Sequence, residues 1–211
     1  MAGGKCAVRL IYGTSNKAKL DFMKRRVEPL GIEILSLADV NAPSLDIDES
    51  GNNPLENAKI KALTYFHALH MPVFSCDSGL YFDGLDDTQQ PGVHVRNIKG
   101  KRLDDNGMIE YYSALAAEHG GRLTARYKNG ICLVMDEHRV YEYMGADIAS
   151  EPFYIVSKPH NKNREGFPID SLSVHIESGK YYYDMDEHGE KHYDTNGGFQ
   201  RFFNRYLNAK W

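Results

Sequence analysis

The chain has 211 residues, 42% hydrophobic and 26% charged, the balance of a water-soluble globular protein with a real core, and no apolar run is long enough to span a bilayer. A formal net charge of −4 without a long basic run argues against binding a nucleic-acid polymer through a broad electrostatic surface. The three cysteines, Cys6, Cys76 and Cys132, are odd in number and far apart, which excludes a readable disulfide framework and points to a reducing, cytoplasmic compartment.

The apolar stretch from Cys6 to Tyr12 is too short, and too interrupted by Arg9, to be a secretory leader. Residues Ala7 to Tyr12 read instead as a short buried strand, followed by the polar turn Gly13-Thr14-Ser15-Asn16, which caps a helix. Leu20, Met23, Val27 and Leu30 recur at helical spacing, and Pro29-Leu30-Gly31 ends that helix. A second strand is predicted from Ile32 to Leu37, then an acidic loop from Asp39 to Asn53. A second helix carries Leu55, Ala58, Ala62, Tyr65, Phe66 and Leu69 on one face. A third strand runs from Pro72 to Cys76 and ends at Asp77-Ser78-Gly79. This alternation predicts an α/β sheet with some parallel pairing. Further on, the pattern predicts a helix from about Asp104 to Glu118. A long hairpin follows, Leu123 to Met135 and Arg139 to Ala149, turning at Asp136-Glu137-His138. Short strands at Phe153–Val156 and Ser173–Ile176 and a closing helix at Phe199–Leu207 complete the expectation. The whole reads as an elongated mixed β-sheet flanked by helices, with two lobes and no clean linker between them.

Three places carry chemistry. At Gly13 to Lys19 a strand, a turn of small polar residues and a helix start leave backbone N–H groups unpaired at the positive end of a helix dipole, which suits an anion. Thr14 and Ser15 add hydroxyls and Lys19 an ammonium within reach of a phosphate, although the same pattern also describes an ordinary helix cap. Within Asp46-Ile47-Asp48-Glu49-Ser50-Gly51, Asp46 and Asp48 read as solvated, and Glu49 becomes a metal ligand only if a second carboxylate converges on it. Asp77, placed at a strand's C-terminal end before Ser-Gly, fits either a turn-forming residue or a group that binds metal and accepts a proton.

Taken in order, Thr14-Ser15-Asn16…Lys19, Glu49-Ser50-Gly51…Glu56-Asn57-Ala58…Lys61-Ala62, Asp77-Ser78-Gly79-Leu80 and Pro91-Gly92-Val93 resemble the Ham1 / inosine triphosphatase family of nucleoside triphosphate pyrophosphatases. The resemblance implies a single Ham1-like domain over residues 1–211 with a nucleotide cleft between its lobes, and Mg²⁺ as cofactor. It implies that Thr14, Ser15, Asn16 and Lys19 bind the triphosphate. Asp77 becomes metal ligand and proton acceptor, Glu49 the second metal carboxylate, and Ser78 a substrate contact. A homodimer built through the central region is implied as well, with the tyrosine-rich hairpin as a candidate face.

The C-terminal half departs from the family pattern. Its base-binding segment stands as Gly166-Phe167-Pro168-Ile169-Asp170-Ser171, keeping Phe167 and Asp170 as substrate-binding residues but losing the second glycine and the aromatic. The Ser-His-Arg signature is missing; Lys191 matches the family lysine ahead of it, and Arg201 or Arg205 are the candidates to replace the arginine. The resemblance implies deaminated purines (ITP, dITP, XTP) as the expected substrates. The same chemistry on another modified nucleotide, or a silent nucleotide-binding regulator, is the alternative. The aromatics of Tyr181-Tyr182-Tyr183 fit base stacking or strand packing equally. Cys76, where the family usually has an acid, reads as a small packing residue.

Overall fold

The computed structural model describes residues 8–98, 100–185 and 197–207. The strands are β1 (Val8–Tyr12), β2 (Ile32–Leu35), β3 (Val73–Phe82), β4 (Asn97–Ile98), β5 (Lys101–Arg102), β6 (Arg122–Val134), β7 (Val140–Tyr143), β8 (Phe153–Val156) and β9 (Ser173–Val174). The helices are α1 (Lys17–Val27), α2 (Pro54–Leu69), α3 (Asp105–Glu118) and α4 (Gly198–Leu207). Two compact units emerge, one from the described residues of 1–78, 129–148 and 196–211, the other from those of 79–128 and 149–195. Strands β3 and β6 contribute residues to both. Among the described residues, no helix is long and apolar enough to cross a membrane.

In the first unit β1 pairs in parallel with β2 and with β3. A strand buried on both faces alternates its side chains between two apolar layers, and β1 does so. Leu10 and Tyr12 enter one cluster with Met23, Val27, Phe74, Cys76 and the α4 residues Phe199, Phe202 and Phe203. Ile11 enters another with Val73 and the α2 residues Ala58, Ala62, Tyr65 and Phe66. On β3, Cys76 thus belongs to the α1/α4 face, and Asp77 turns toward α2. Burial pushes the Cys76 thiol up to about 12, so the cysteine expected to be a packing residue is one. The hairpin forms with Ile131 opposite Tyr143 and Val134 opposite Val140. Its Tyr141 ring stacks on Tyr206 of α4 at 4.2 Å, so part of the tyrosine-rich surface closes this unit's own core.

In the second unit β6 is antiparallel to β8, and β8 to β9. Leu80, Phe82, Met108, Tyr112, Leu123, Phe153, Ile155 and Leu172 form its core. The strand order is β2-β1-β3-β6-β8-β9 with β7 on β6, the mixed sheet expected from the alternation of elements.

Local signals set the element ends. Asn16 caps α1 by accepting the Lys19 N–H at 3.1 Å, and Gly31, at φ 67°, takes the left-handed turn after it. Asn53 caps α2, with Pro54 in the first turn, where its missing N–H costs nothing. Four expectations need correction, the first being β2, which ends at Leu35, two residues before its expected end. Strand β3 does not stop at Cys76 but runs to Phe82, because Leu80 and Phe82 are buried and continue the alternation; Asp77 is a mid-strand residue. Strand β7 ends at Tyr143, and Ala146–Ile148 coils into a 3₁₀ turn. The last strand stops at Val174, two residues short. The β4/β5 hairpin has too few residues to register as a periodic pattern.

One glycine has an energetic role that its sequence context hides. A Cβ on Gly130 of β6 would lie 2.4 Å from the Leu55 amide nitrogen and 2.5 Å from its Cα, both backbone atoms at the start of α2. Gly130→Val is expected to destabilise the protein by about 3 kcal/mol or more, since backbone cannot yield as a flexible side chain does. Thermal melting checks this, and an unshifted Tm would show that α2 relaxes away.

Candidate active site

The site grows from Asp77 outward. Its side chain is 11% exposed. Asp77 Oδ1 accepts from Lys61 Nζ at 3.1 Å and lies 3.8 Å from Lys19 Nζ, while Oδ2 accepts from Asn57 Nδ2 at 3.2 Å. Lys61 Nζ also pairs with Glu49 Oε2 at 2.7 Å. Lys19, Glu49 and Asp77, three residues from three separated segments, therefore converge, with Lys61 bridging the two carboxylates.

The local sequence explains this convergence. A Cβ on Gly51 would sit 2.6 Å from Asn57 Oδ1, so only glycine lets the loop lie that close to α2. Asn57 Oδ1 accepts the Gly51 N–H at 2.8 Å while its Nδ2 holds Asp77. Glu56 takes no part in the site. Its carboxylate accepts from Asn53 Nδ2 at 2.7 Å and from the Asn52 N–H at 2.8 Å, closing the helix cap. With the loop pinned at Gly51 and the helix capped at Asn53, Glu49 reaches Lys61. Asn57 and Lys61 lie four residues apart, one helical turn. Both escaped sequence reasoning as site residues. The signal was a polar i, i+4 pair beside the apolar positions Ala58 and Ala62.

On the other side of Asp77 lies the turn into α1. Gly13 N donates to Phe74 O at 2.8 Å, and Ser75 Oγ donates to Gly13 O at 3.1 Å, so β3 itself holds the turn. Thr14 Oγ1 accepts the Asn16 N–H at 3.2 Å, and Asn16 is the cap already described. Thr14 and Asn16 thus shape the helix start, whose first amides have no intrahelical acceptor. Ser15 is exposed and Ser78 half-buried next to Asp77, while Asp46 and Asp48 are exposed, as solvated loop carboxylates.

Electrostatically the centre is balanced by lysines. Burial pulls the Lys61 ammonium down, but Asp77 and Glu49 outweigh it, and the net shift is upward. The donor set suits a hard divalent cation such as Mg²⁺, because two carboxylates converge on one position now taken by an ammonium. Such an ion needs only one or two carboxylates beside substrate phosphates and water. Among the described residues no group of three or more His, Cys, Asp or Glu could hold a metal, so a dedicated protein cage is not what the residues offer. His67 and His70 lie on the surface at the end of α2.

In the second unit, Gly79 carries no Cβ because one would meet Gly92 O at 2.8 Å, and Leu80 and Gly92 exchange backbone hydrogen bonds at 2.9 and 3.0 Å. Gly92 of the Pro91-Gly92-Val93 motif thereby packs against Gly79-Leu80. Phe167 lies under the Arg164 guanidinium, whose carbon is 3.9 Å from the ring centroid, and Asp170 Oδ2 pairs with Arg164 Nη2 at 3.2 Å. Gly166 is held by its N–H to Asp105 Oδ2 at 2.7 Å and by its carbonyl, which accepts from Arg96 Nη2 at 3.2 Å. Tyr181 donates its hydroxyl to Lys158 O at 2.6 Å and Tyr182 packs on Phe153, both structural roles. Of the arginines considered as replacements, Arg201 pairs with Asp147 at 2.7 Å, and the Arg205 guanidinium lies 5.4 Å from the Tyr206 ring centroid. Lys191 lies outside the described residues.

The Ham1 family model matches residues 10–194. A dITP/XTP pyrophosphatase of Brucella melitensis is 30% identical over 217 residues, covering 95% of this chain and 94% of that protein. A dITP/XTP pyrophosphatase of Rhodopseudomonas palustris is 30% identical over 138 residues; there the match spans 64% of this chain and 64% of the relative's length. Among solved structures, a HAM1 protein from Coxiella burnetii superposes with a TM-score of 0.74 at 20% identity, over 96% of this chain and 100% of that one, a likeness of fold.

Proposed function

The chain belongs to the Ham1 family, and from that premise we propose that it is a Mg²⁺-dependent nucleoside triphosphate pyrophosphohydrolase acting on deaminated purine nucleotides. The observation that carries the reading is the convergence of Glu49 and Asp77 on one cation position, with Lys19 at 3.8 Å from Asp77.

In this reading the amides at the start of α1, Thr14, Ser15, Asn16 and Lys19 receive the phosphate tail, and Ser78 contacts substrate beside Asp77. Glu49 and Asp77 would hold Mg²⁺, which supplies charge neutralisation on the phosphates and orients the leaving group. Asp77 accepts a proton from water as the water oxygen bonds to the α-phosphorus; the bond to the bridging oxygen breaks, and pyrophosphate leaves. Asn57 keeps the Asp77 carboxylate oriented for that transfer, and Lys61 pairs with it at 3.1 Å. Phe167, Asp170 and Lys191 serve the nucleotide's base end. We place the enzyme in the cytoplasm as a homodimer, with both units belonging to one catalytic domain.

The test is steady-state turnover of ITP, dITP, XTP and the four common triphosphates with Mg²⁺, following both phosphate products. Pyrophosphate is expected from all three deaminated substrates, with kcat/KM roughly a hundredfold above ATP. Orthophosphate in place of pyrophosphate would overturn the chemistry. Tight nucleotide binding without turnover would identify a regulator.

A further inference from the structure

The α2 side chains that meet the site are spaced one helical turn apart. Asn57 and Lys61 hold Asp77, and four residues further on the same stripe reaches Tyr65, read from the sequence as one of the helix's apolar positions. Tyr65 is 9% exposed, and its ring lies against Gly13, the first residue of the turn into α1. A Cβ on Gly13 would stand 2.9 Å from Tyr65 Cδ2. Gly13 is not among the glycines with positive φ, so the space taken by this ring, and not a left-handed backbone, is what calls for glycine there. On its other side the turn is held by Phe74 O and Ser75 Oγ of β3. The turn is therefore wedged between a strand and an aromatic ring.

The ring is buried, yet no hydrogen bond joins the Tyr65 hydroxyl to any described residue, and its oxygen is not sealed from solvent. Burial raises the hydroxyl's pKa, the Lys61 charge lowers it and the Glu49 charge raises it; the net shift is upward, so at neutral pH the group is an O–H donor. A buried tyrosine ordinarily finds a partner for its hydroxyl. Here the unmet donor lies beside the turn at 13–16 and the Lys61 ammonium, where an anion would supply the acceptor. We propose that Tyr65 is a further substrate-binding residue of the site, donating its hydroxyl hydrogen bond to a phosphate oxygen of the triphosphate tail. For its ligand the contact rests on the pyrophosphohydrolase reading, although Tyr65 lies outside every motif that carries the family resemblance.

Isothermal titration of the full chain with inorganic tripolyphosphate in Mg²⁺ buffer tests the contact without needing turnover. Tyr65→Phe is expected to weaken binding about tenfold at an unchanged Tm, because a hydroxyl without a protein partner contributes to the complex and not to the fold. KM for ITP is expected to rise by the same factor with kcat within about twofold, as for a contact made equally in the ground and transition states. Gly13→Ala, whose methyl displaces the ring, is expected to weaken tripolyphosphate binding in the wild type and to cost less in Tyr65→Phe, where the hydroxyl is already missing. Unchanged affinity in Tyr65→Phe overturns the proposal, as does a wild type that does not bind tripolyphosphate, a Tm that falls with the affinity, or an equal cost of Gly13→Ala in the two backgrounds. Tripolyphosphate binding that depends on the hydroxyl, in a protein that releases no pyrophosphate from any nucleotide, would sink the hydrolase reading and leave this contact standing.

Discussion

Asp77→Asn is expected to lower pyrophosphate release from ITP by about a thousandfold or more while the protein remains folded. The amide keeps the shape of the carboxylate but can neither accept a proton at neutral pH nor offer a hard anionic ligand. Folding survives because Lys61, which loses Asp77, keeps Glu49 at 2.7 Å. Asn57, in turn, keeps the Gly51 N–H at 2.8 Å. Pyrophosphate assays and thermal melting of the same preparation measure the two quantities separately. A variant that turns over at the wild-type rate removes Asp77 from the reaction, and one that fails to fold shows that the charge is structural.

Lys61→Met is expected to show the reverse separation, costing stability first. Its side chain is 13% exposed and bridges carboxylates at 2.7 and 3.1 Å. Breaking a fully buried pair from one side costs about 3–5 kcal/mol, because the surviving charge is left without compensation. Here Lys19 and Asn57 still face Asp77, so about 2 kcal/mol is the expected loss in urea unfolding at neutral pH. In an Asp77→Asn background the same substitution should cost well under half as much, since no buried carboxylate is left unpaired. Equal costs in the two backgrounds would mean that the lysine stem, not its charge, is what stabilises. The pH dependence has a definite sign. A pKa raised on folding contributes stability that is complete below the unfolded value of 10.5 and is lost only as pH rises through the higher folded value. The Lys61 contribution is therefore constant across the neutral range and fades in alkali.

The places where sequence reading failed share a cause. Sequence pattern places the end of β3 too early because Asp77-Ser78-Gly79 has the composition of a turn; what continues the strand is the burial of Leu80 and Phe82, and Leu80 bonds to Gly92, a partner twelve residues on. Asn57 and Lys61 lie within a recognised motif yet carry no assigned role there, since nothing in α2 alone says that a strand carboxylate meets that face.

Local chemistry alone determined the helix caps at Asn16 and Asn53, the alternation of β1 between two cores and the three segments that carry the phosphate chemistry, because each depends on neighbours within one helical turn or one pleat. Only the tertiary structure decided that Lys61 bridges Glu49 and Asp77, that Gly51 admits the loop to α2 and that Arg164 covers Phe167. Those contacts join residues whose approach is set by packing and by the pairing of buried charge, and such forces act across space and leave no period in the chain.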